Sequence, residues 1–152
     1  MVRTVLFVCV ENACRSLMAE AMFNARAPQG WSAVSAGTEP GADANPRTGP
    51  MLKEVGLELP PHPPQRLTDE MLRRSDVRIT MGCLDRASCP ANLKHLDPTD
   101  WAMPDPARLD DEGFRRVRDD LAERVRRLLL ELSSGDRAPG RAPRKPAPPI
   151  DS

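Results

Sequence analysis

Chemistry is concentrated in the stretch "CVENACRS", residues 9–16. The apolar run Thr4–Val8 ends on the thiol of Cys9, and five intervening residues later come Arg15 and Ser16, where helical spacing begins. If the segment wraps with its backbone amides turned inward, Val10, Glu11, Asn12, Ala13, Cys14 and Arg15 make a seat for a tetrahedral oxyanion at a helix N-terminus. The guanidinium of Arg15 adds a fork that grips two oxyanion oxygens at once. A thiol at the base of such a loop lies in the same positive field, which favours its thiolate, and Ser16 is placed to donate to the sulfur. A thiolate so placed attacks a bound phosphorus or arsenic atom in line. A lone cysteine after an apolar run is most simply a small buried residue. The spacing Cys-x5-Arg-Ser between a strand and a helix favours the nucleophile.

Such a loop needs a rigid strand before it and a helix after it, and the rest of the chain supplies a frame of that kind. Thr4–Val8 has the unbroken apolar character of a strand buried on both faces. Met18, Ala21, Met22 and Ala25 fall at helical spacing, predicting a helix from about Ser16 to Arg26. "WSAVSAG" (31–37) alternates and ends on glycine, as a second strand does. In "NPRTGPMLKEVG", a helix begun at Asn45-Pro46 would put Pro50 against the carbonyl four residues back, so a late start with Pro50 in the first turn is expected. "PPHPPQ" (60–65) reads as an extended loop, Thr68 as the cap of a short helix, "DVRITMG" as the third strand and "LKHLD" as a short fourth. From Asp110, Phe114, Val117, Leu121, Val125, Leu128 and Leu132 keep a spacing of three to four, with acidic residues at the start, predicting a long closing helix. Strand–helix alternation gives an α/β fold of three layers: a four-stranded parallel sheet with helices on both faces and right-handed crossovers. Ligands of such sheets bind beyond the carboxyl ends of the strands, where Cys9 and Cys83 lie.

Totals exclude several function classes. The chain has 152 residues, enough for one domain, assigned to 1–134. Basic and acidic residues number 22 each, so no bulk field draws it to nucleic acid or an anionic membrane. No tyrosine and only five Phe or Trp are present, which leaves little surface for base stacking. No apolar run approaches a bilayer span, and no signal-peptide flanks precede the first strand, so a cytoplasmic protein is expected; a monomer is expected as well. Four cysteines are too sparse for a disulfide scaffold. Residues 135–152 are rich in Pro, Gly and charge and read as a disordered tail.

"FVCVENACRSLMAEAMF" closely resembles the low-molecular-weight protein tyrosine phosphatases and, more narrowly, the thioredoxin-coupled arsenate reductases built on that fold. The likeness runs from residue 4 to about 132 and takes in "SAGTEP", "TMGC...CP" and "DWAMPDPA". It implies that Cys9 attacks arsenate and that Arg15 and Ser16 serve the loop. It further implies that Asp105, between two prolines that stiffen its loop, is the general acid. Cys83 would then attack the Cys9–arsenic adduct, and Cys89 would attack Cys83, leaving a pair that thioredoxin or a low-molecular-weight thiol re-reduces. No bound cofactor is implied beyond that reductant. Zinc on these cysteines would want closer pairs and a histidine, and neither His62 nor His95 has such spacing.

The chain departs from the family pattern in several places. Gly82 stands where the reductases usually have their first loop cysteine, which shifts Cys83 one place on. Ala107 and Arg108 follow Asp105 where the phosphatases carry tyrosines, which favours a small inorganic oxyanion over an aryl substrate. Glu11 puts a carboxylate in the anion loop and is expected to point outward. Cys14 reads as a loop-shaping thiol. Asn12, Glu20 and Ser35 match positions that hold the loop and, in some reductases, a potassium ion, but Gln65 replaces the expected acidic residue. The reading is an arsenate reductase. The alternatives are a phosphatase working through a Cys9 phosphoenzyme, or a non-catalytic module that binds anion or metalloid.

Overall fold

A computed structural model describes residues 2–134; the tail expected over 135–152 lies outside them. Its elements follow the order β1 (Arg3–Cys9), α1 (Arg15–Ala25), β2 (Trp31–Gly37), α2 (Thr48–Lys53), α3 (Asp69–Arg74), β3 (Val77–Thr80), α4 (Ala91–His95), β4 (Thr99–Asp100), a 3-10 turn (Pro106–Arg108) and α5 (Asp111–Ser133). The four strands form one parallel sheet in the order β2-β1-β3-β4. β1 is central, and its alternation decides the two cores. Val5, Phe7 and Cys9 face one way, into a cluster with Met18 and Phe23 of α1, Leu52 of α2, and Phe114 and Leu121 of α5. Leu6, Val8 and Val10 face the other way, with Leu72 of α3, Leu93 of α4, Cys83 and Cys89. Fully burying one such side chain contributes about 1.5–3 kcal/mol, so this strand is held from both sides. That makes its carboxyl end a rigid platform for the loop that follows.

Local rules explain where the helices start. Thr68 caps α3, its Oγ1 accepting from the Met71 amide at 3.1 Å, and Asp110 caps α5, accepting from the Gly113 amide at 2.9 Å. α2 begins late, with Pro50 in its first turn as expected, where its missing N–H does no harm. The expected fourth strand over "LKHLD" is a correction. Ala91–His95 is a helix that starts directly after Pro90. Leu93 and Leu96 are three apart, and only Leu93 is buried, which is helical spacing and not alternation. The true β4 is two residues long and polar. Its place comes from pairing with Ile79 and Thr80, and from a bond in which Thr80 Oγ1 donates to Asp100 Oδ1 at 2.7 Å. Among the described residues no helix is long and apolar enough to cross a membrane.

Candidate active site

Between Cys9 and Arg15 the chain makes a tight loop whose outward carbonyls are tied down. The Cys9, Val10 and Glu11 carbonyls accept from the amides of Thr38, Glu39 and Gly41 at 3.1, 2.7 and 3.1 Å. The Ala13 carbonyl accepts from the Asn45 amide at 3.1 Å and from Thr48 Oγ1 at 2.8 Å. A Cβ on Gly37 would stand 2.6 Å from the Val10 carbonyl oxygen, so only glycine lets the loop run this close to the end of β2. Asn12 holds a left-handed conformation with φ of 54°, which asparagine tolerates.

That conformation sends the Asn12 side chain away from the cleft and into the protein, where it organises the nucleophile. Its Nδ2 donates to Ser16 Oγ at 2.7 Å and to Ser35 Oγ at 3.0 Å, while its Oδ1 accepts from the Gln65 amide at 2.9 Å. Because Ser16 Oγ accepts from Asn12, its own proton is free for Cys9 Sγ, 2.8 Å away. The Asn12 amide donates to the same sulfur at 3.2 Å. The sulfur thus receives two donors, the arrangement that stabilises negative charge on it. Behind these groups Ser35 Oγ donates to Glu20 Oε1 at 2.6 Å, and His62 Nε2 lies 2.9 Å from the same carboxylate oxygen. Partial burial works against a charged His62, but hydrogen bonds to the Pro63 carbonyl and the Glu20 carboxylate outweigh it, so His62 titrates above its ordinary value. Sequence reasoning considered His62 only as a zinc ligand, and a histidine inside a proline-rich loop gives no signal of this partner. Among the oxygens matched to a potassium site, Ser35 and His62 bind the Glu20 carboxylate and the Gln65 amide donates to Asn12 Oδ1.

Cys9 and Arg15 open onto a cleft of about 310 Å³, lined also by Val10, Glu11, Ala13, Cys14, Gly82, Arg86, Asp105, Ala107 and Arg108. Arg15 is nearly buried at 8 % exposure, and its Nη1 donates to the Met103 carbonyl at 3.1 Å, which aims the fork. A Cβ on Gly82 would lie 2.8 Å from that same Nη1, and Gly82 has φ of +86°. The glycine that displaces the family's usual cysteine therefore makes room for Arg15. Asp105 Oδ1 accepts from the Ala107 amide at 3.0 Å, which fixes its orientation at the cleft. Glu11 is exposed and nonetheless belongs to the cleft wall. Two exposed arginines complete the wall: Arg108, at a position where the phosphatases carry a tyrosine, and Arg86, which only its charge marks in the sequence.

The remaining thiols are buried, as Cys9 itself is at 2 % exposure. Desolvation pushes Cys14 up to about 11, partly offset by a hydrogen bond with Thr48, so it stays protonated beside the anion seat. Cys83 and Cys89 do not line the cleft. They pack in one cluster with Leu6, Val8 and Leu93 on the other face of β1, 0 % and 7 % exposed, and Cys89 Sγ donates to the Pro90 carbonyl at 3.8 Å. Cys83 Sγ donates to the Val8 carbonyl at 3.9 Å, one residue from the nucleophile. Burial raises Cys83 to about 12 and raises Cys89 as well.

A parallel four-stranded sheet ending in this loop, with the arginine fork and an acid across the cleft, defines a class, and comparison with known proteins gives the same one. Residues 4–138 match the low molecular weight phosphotyrosine protein phosphatase family, and the chain belongs to it. It is 35 % identical to arsenate reductase 1 of Staphylococcus epidermidis over 120 residues, covering 78 % of this chain and 89 % of that one. The crystal structure of an arsenate reductase from Archaeoglobus fulgidus is 36 % identical, with a TM-score of 0.67 and coverage of 83 % and 98 %. A thioredoxin-dependent arsenate reductase of Corynebacterium glutamicum is 28 % identical, with a TM-score of 0.69; the match covers 88 % of this chain and 63 % of that longer one.

Proposed function

We propose that this chain is an arsenate reductase that works through a thiol relay. The observation that carries the reading is a pair of thiols, Cys83 and Cys89, in one buried cluster with Val8 and Val10, the residues on either side of Cys9. A phosphatase needs only Cys9, Arg15 and an acid. Two more thiols at this spot are what a two-electron reduction requires.

Arsenate sits on the loop amides with two oxygens on the Arg15 fork. The Cys9 sulfur attacks arsenic(V), and the departing oxygen takes a proton from Asp105 and leaves as water. Cys83 then attacks the Cys9 sulfur. The sulfur–arsenic bond breaks with its electron pair going to arsenic, arsenite leaves, and a Cys9–Cys83 disulfide remains. Cys89 attacks Cys83, freeing Cys9 and leaving Cys83–Cys89 for the reductant. The electrons balance: two thiol sulfurs are oxidised and one arsenic is reduced by two. Because Cys83 is buried on the opposite face of β1, the loop from Gly82 to Pro90 has to shift to deliver it. Its high thiol value restrains the attack until then. Thioredoxin is the proposed reductant, on the strength of the likeness to the thioredoxin-dependent relative.

The rival is a phosphatase that uses the Cys9 loop alone, and the family model that spans the domain supports it. Arsenate turnover coupled to thioredoxin, thioredoxin reductase and NADPH, set beside hydrolysis of an aryl phosphate, separates the two. The reductase reading expects NADPH consumption that requires arsenate. Aryl phosphate hydrolysis with no arsenate-dependent consumption would overturn it.

A further inference from the structure

Arg47 plays no part in the chemistry described so far, yet it touches the segment that carries the acid. It stands one residue before α2, outside the loop of Cys9. Its Nη2 donates to the carbonyls of Pro106 and Ala107 at 3.2 and 3.3 Å, and its Nη1 to Asp111 Oδ1 at 3.1 Å. The guanidinium lies 4.9 Å from the centroid of the Phe114 ring, close enough for a cation–π contact. An isolated surface ion pair contributes little. Here one planar group bridges two carbonyls, a carboxylate and a ring, which a lysine cannot reproduce.

The partners of this short segment are the second observation. Asn45, two residues earlier, and Thr48, the next residue, both donate to the Ala13 carbonyl of the anion loop. Asn45 Oδ1 also accepts from the Arg47 amide at 2.9 Å, which stiffens the segment. One stretch of four residues therefore grips the nucleophile's loop with one end and the acid's segment with the other. The Ala107 peptide is gripped on both sides: its carbonyl by Arg47, its amide by the Asp105 carboxylate.

We propose that Arg47 is a positioning residue that clamps the Pro104–Leu109 segment, so that Asp105 is held at a fixed distance from the Cys9 loop. Its kinetic consequence rests on the reading of Asp105 as the acid; the clamp itself does not. Arg47→Met keeps an unbranched apolar stem over Phe114 and removes every donor, and Arg47→Lys keeps the charge without the fork. In the full chain, amide hydrogen exchange at Ala107 and Arg108 should speed up by about tenfold in Arg47→Met. Amides of α5 around Leu121 should keep their protection, which shows that the variant is folded. The kcat for arsenate should fall about tenfold with KM and inhibition by inorganic phosphate changed less than about twofold, because orientation and not binding is lost. Added to Asp105→Asn, Arg47→Met should cost almost nothing further. Arg47→Lys should lie between Arg47→Met and the parent. Unchanged exchange over 105–109 in Arg47→Met overturns the clamp. Faster exchange with losses that multiply in the double variant overturns the route through Asp105. Should Asp105→Asn alone leave kcat untouched, the acid assignment fails, and the exchange rates still decide on the clamp.

Discussion

At the level of single residues, the site separates binding from chemistry. If Arg15 grips the oxyanion with both arms of its fork, as proposed, Arg15→Lys should weaken competitive inhibition by phosphate and lower kcat/KM for arsenate by about 10²-fold or more. Asp105→Asn should leave phosphate inhibition nearly intact and lower kcat by about 10²-fold. Turnover at the parent rate in Asp105→Asn would assign the proton to another group. His62 gives a prediction with a sign. Its folded value is raised, so the stabilisation from its charged contact with Glu20 is fully present below about 6.5, its ordinary value. It fades as pH rises through the raised value. His62→Gln should therefore cost about 1–2 kcal/mol at pH 6 and visibly less at pH 9 in urea melts. A cost that grows with pH would contradict the charged contact. The types and spacing of Cys9, Arg15, Ser16 and Asp105 were readable in the sequence because the chemistry dictates them. His62, Arg47 and Arg86 were not. Their roles depend on which distant segments meet, and nothing local in "PPHPPQ" or "NPRTGP" reports that.

At the level of elements, each misreading has an identifiable cause. β1, β2 and α5 were legible because burial on fixed faces imposes a period on long segments. β4 was not, since two polar residues carry no period and owe their conformation to the strand beside them. "LKHLD" is helical and not the expected strand, because Leu93 and Leu96 have helical spacing and Pro90 provides the start. The shifted position of Cys83 has a counterpart in the packing, where Gly82 leaves the space that Arg15 occupies. Gly82→Ala should consequently be worse than a loop substitution usually is. Its φ of +86° strains any side chain, and the new methyl group displaces the Arg15 fork. The expected outcome is a loss of about tenfold or more in kcat/KM for arsenate, together with weaker phosphate inhibition. Unaltered phosphate inhibition would show that Arg15 does not need this space.

At the level of the molecule, the sheet separates two thiol environments. Cys9 lines the cleft at the carboxyl end of β1, and Cys83 and Cys89 pack on the other face of the same strand, away from that cleft. The reduced protein should therefore alkylate in two phases at neutral pH. Cys9, with a cleft before it and two donors on its sulfur, should react first and be protected by phosphate, and Cys83 and Cys89, whose thiols are pushed up, at least about tenfold more slowly. The separation also means that the relay needs a moving loop, so its order can be trapped. The most direct test uses Cys89→Ser, incubated with one equivalent of arsenate and mapped by peptide mass after alkylation. The thiol relay predicts one equivalent of arsenite released and a single Cys9–Cys83 disulfide, with no further turnover when thioredoxin is withheld. Arsenite release with Cys9 and Cys83 both still alkylated as free thiols would contradict it.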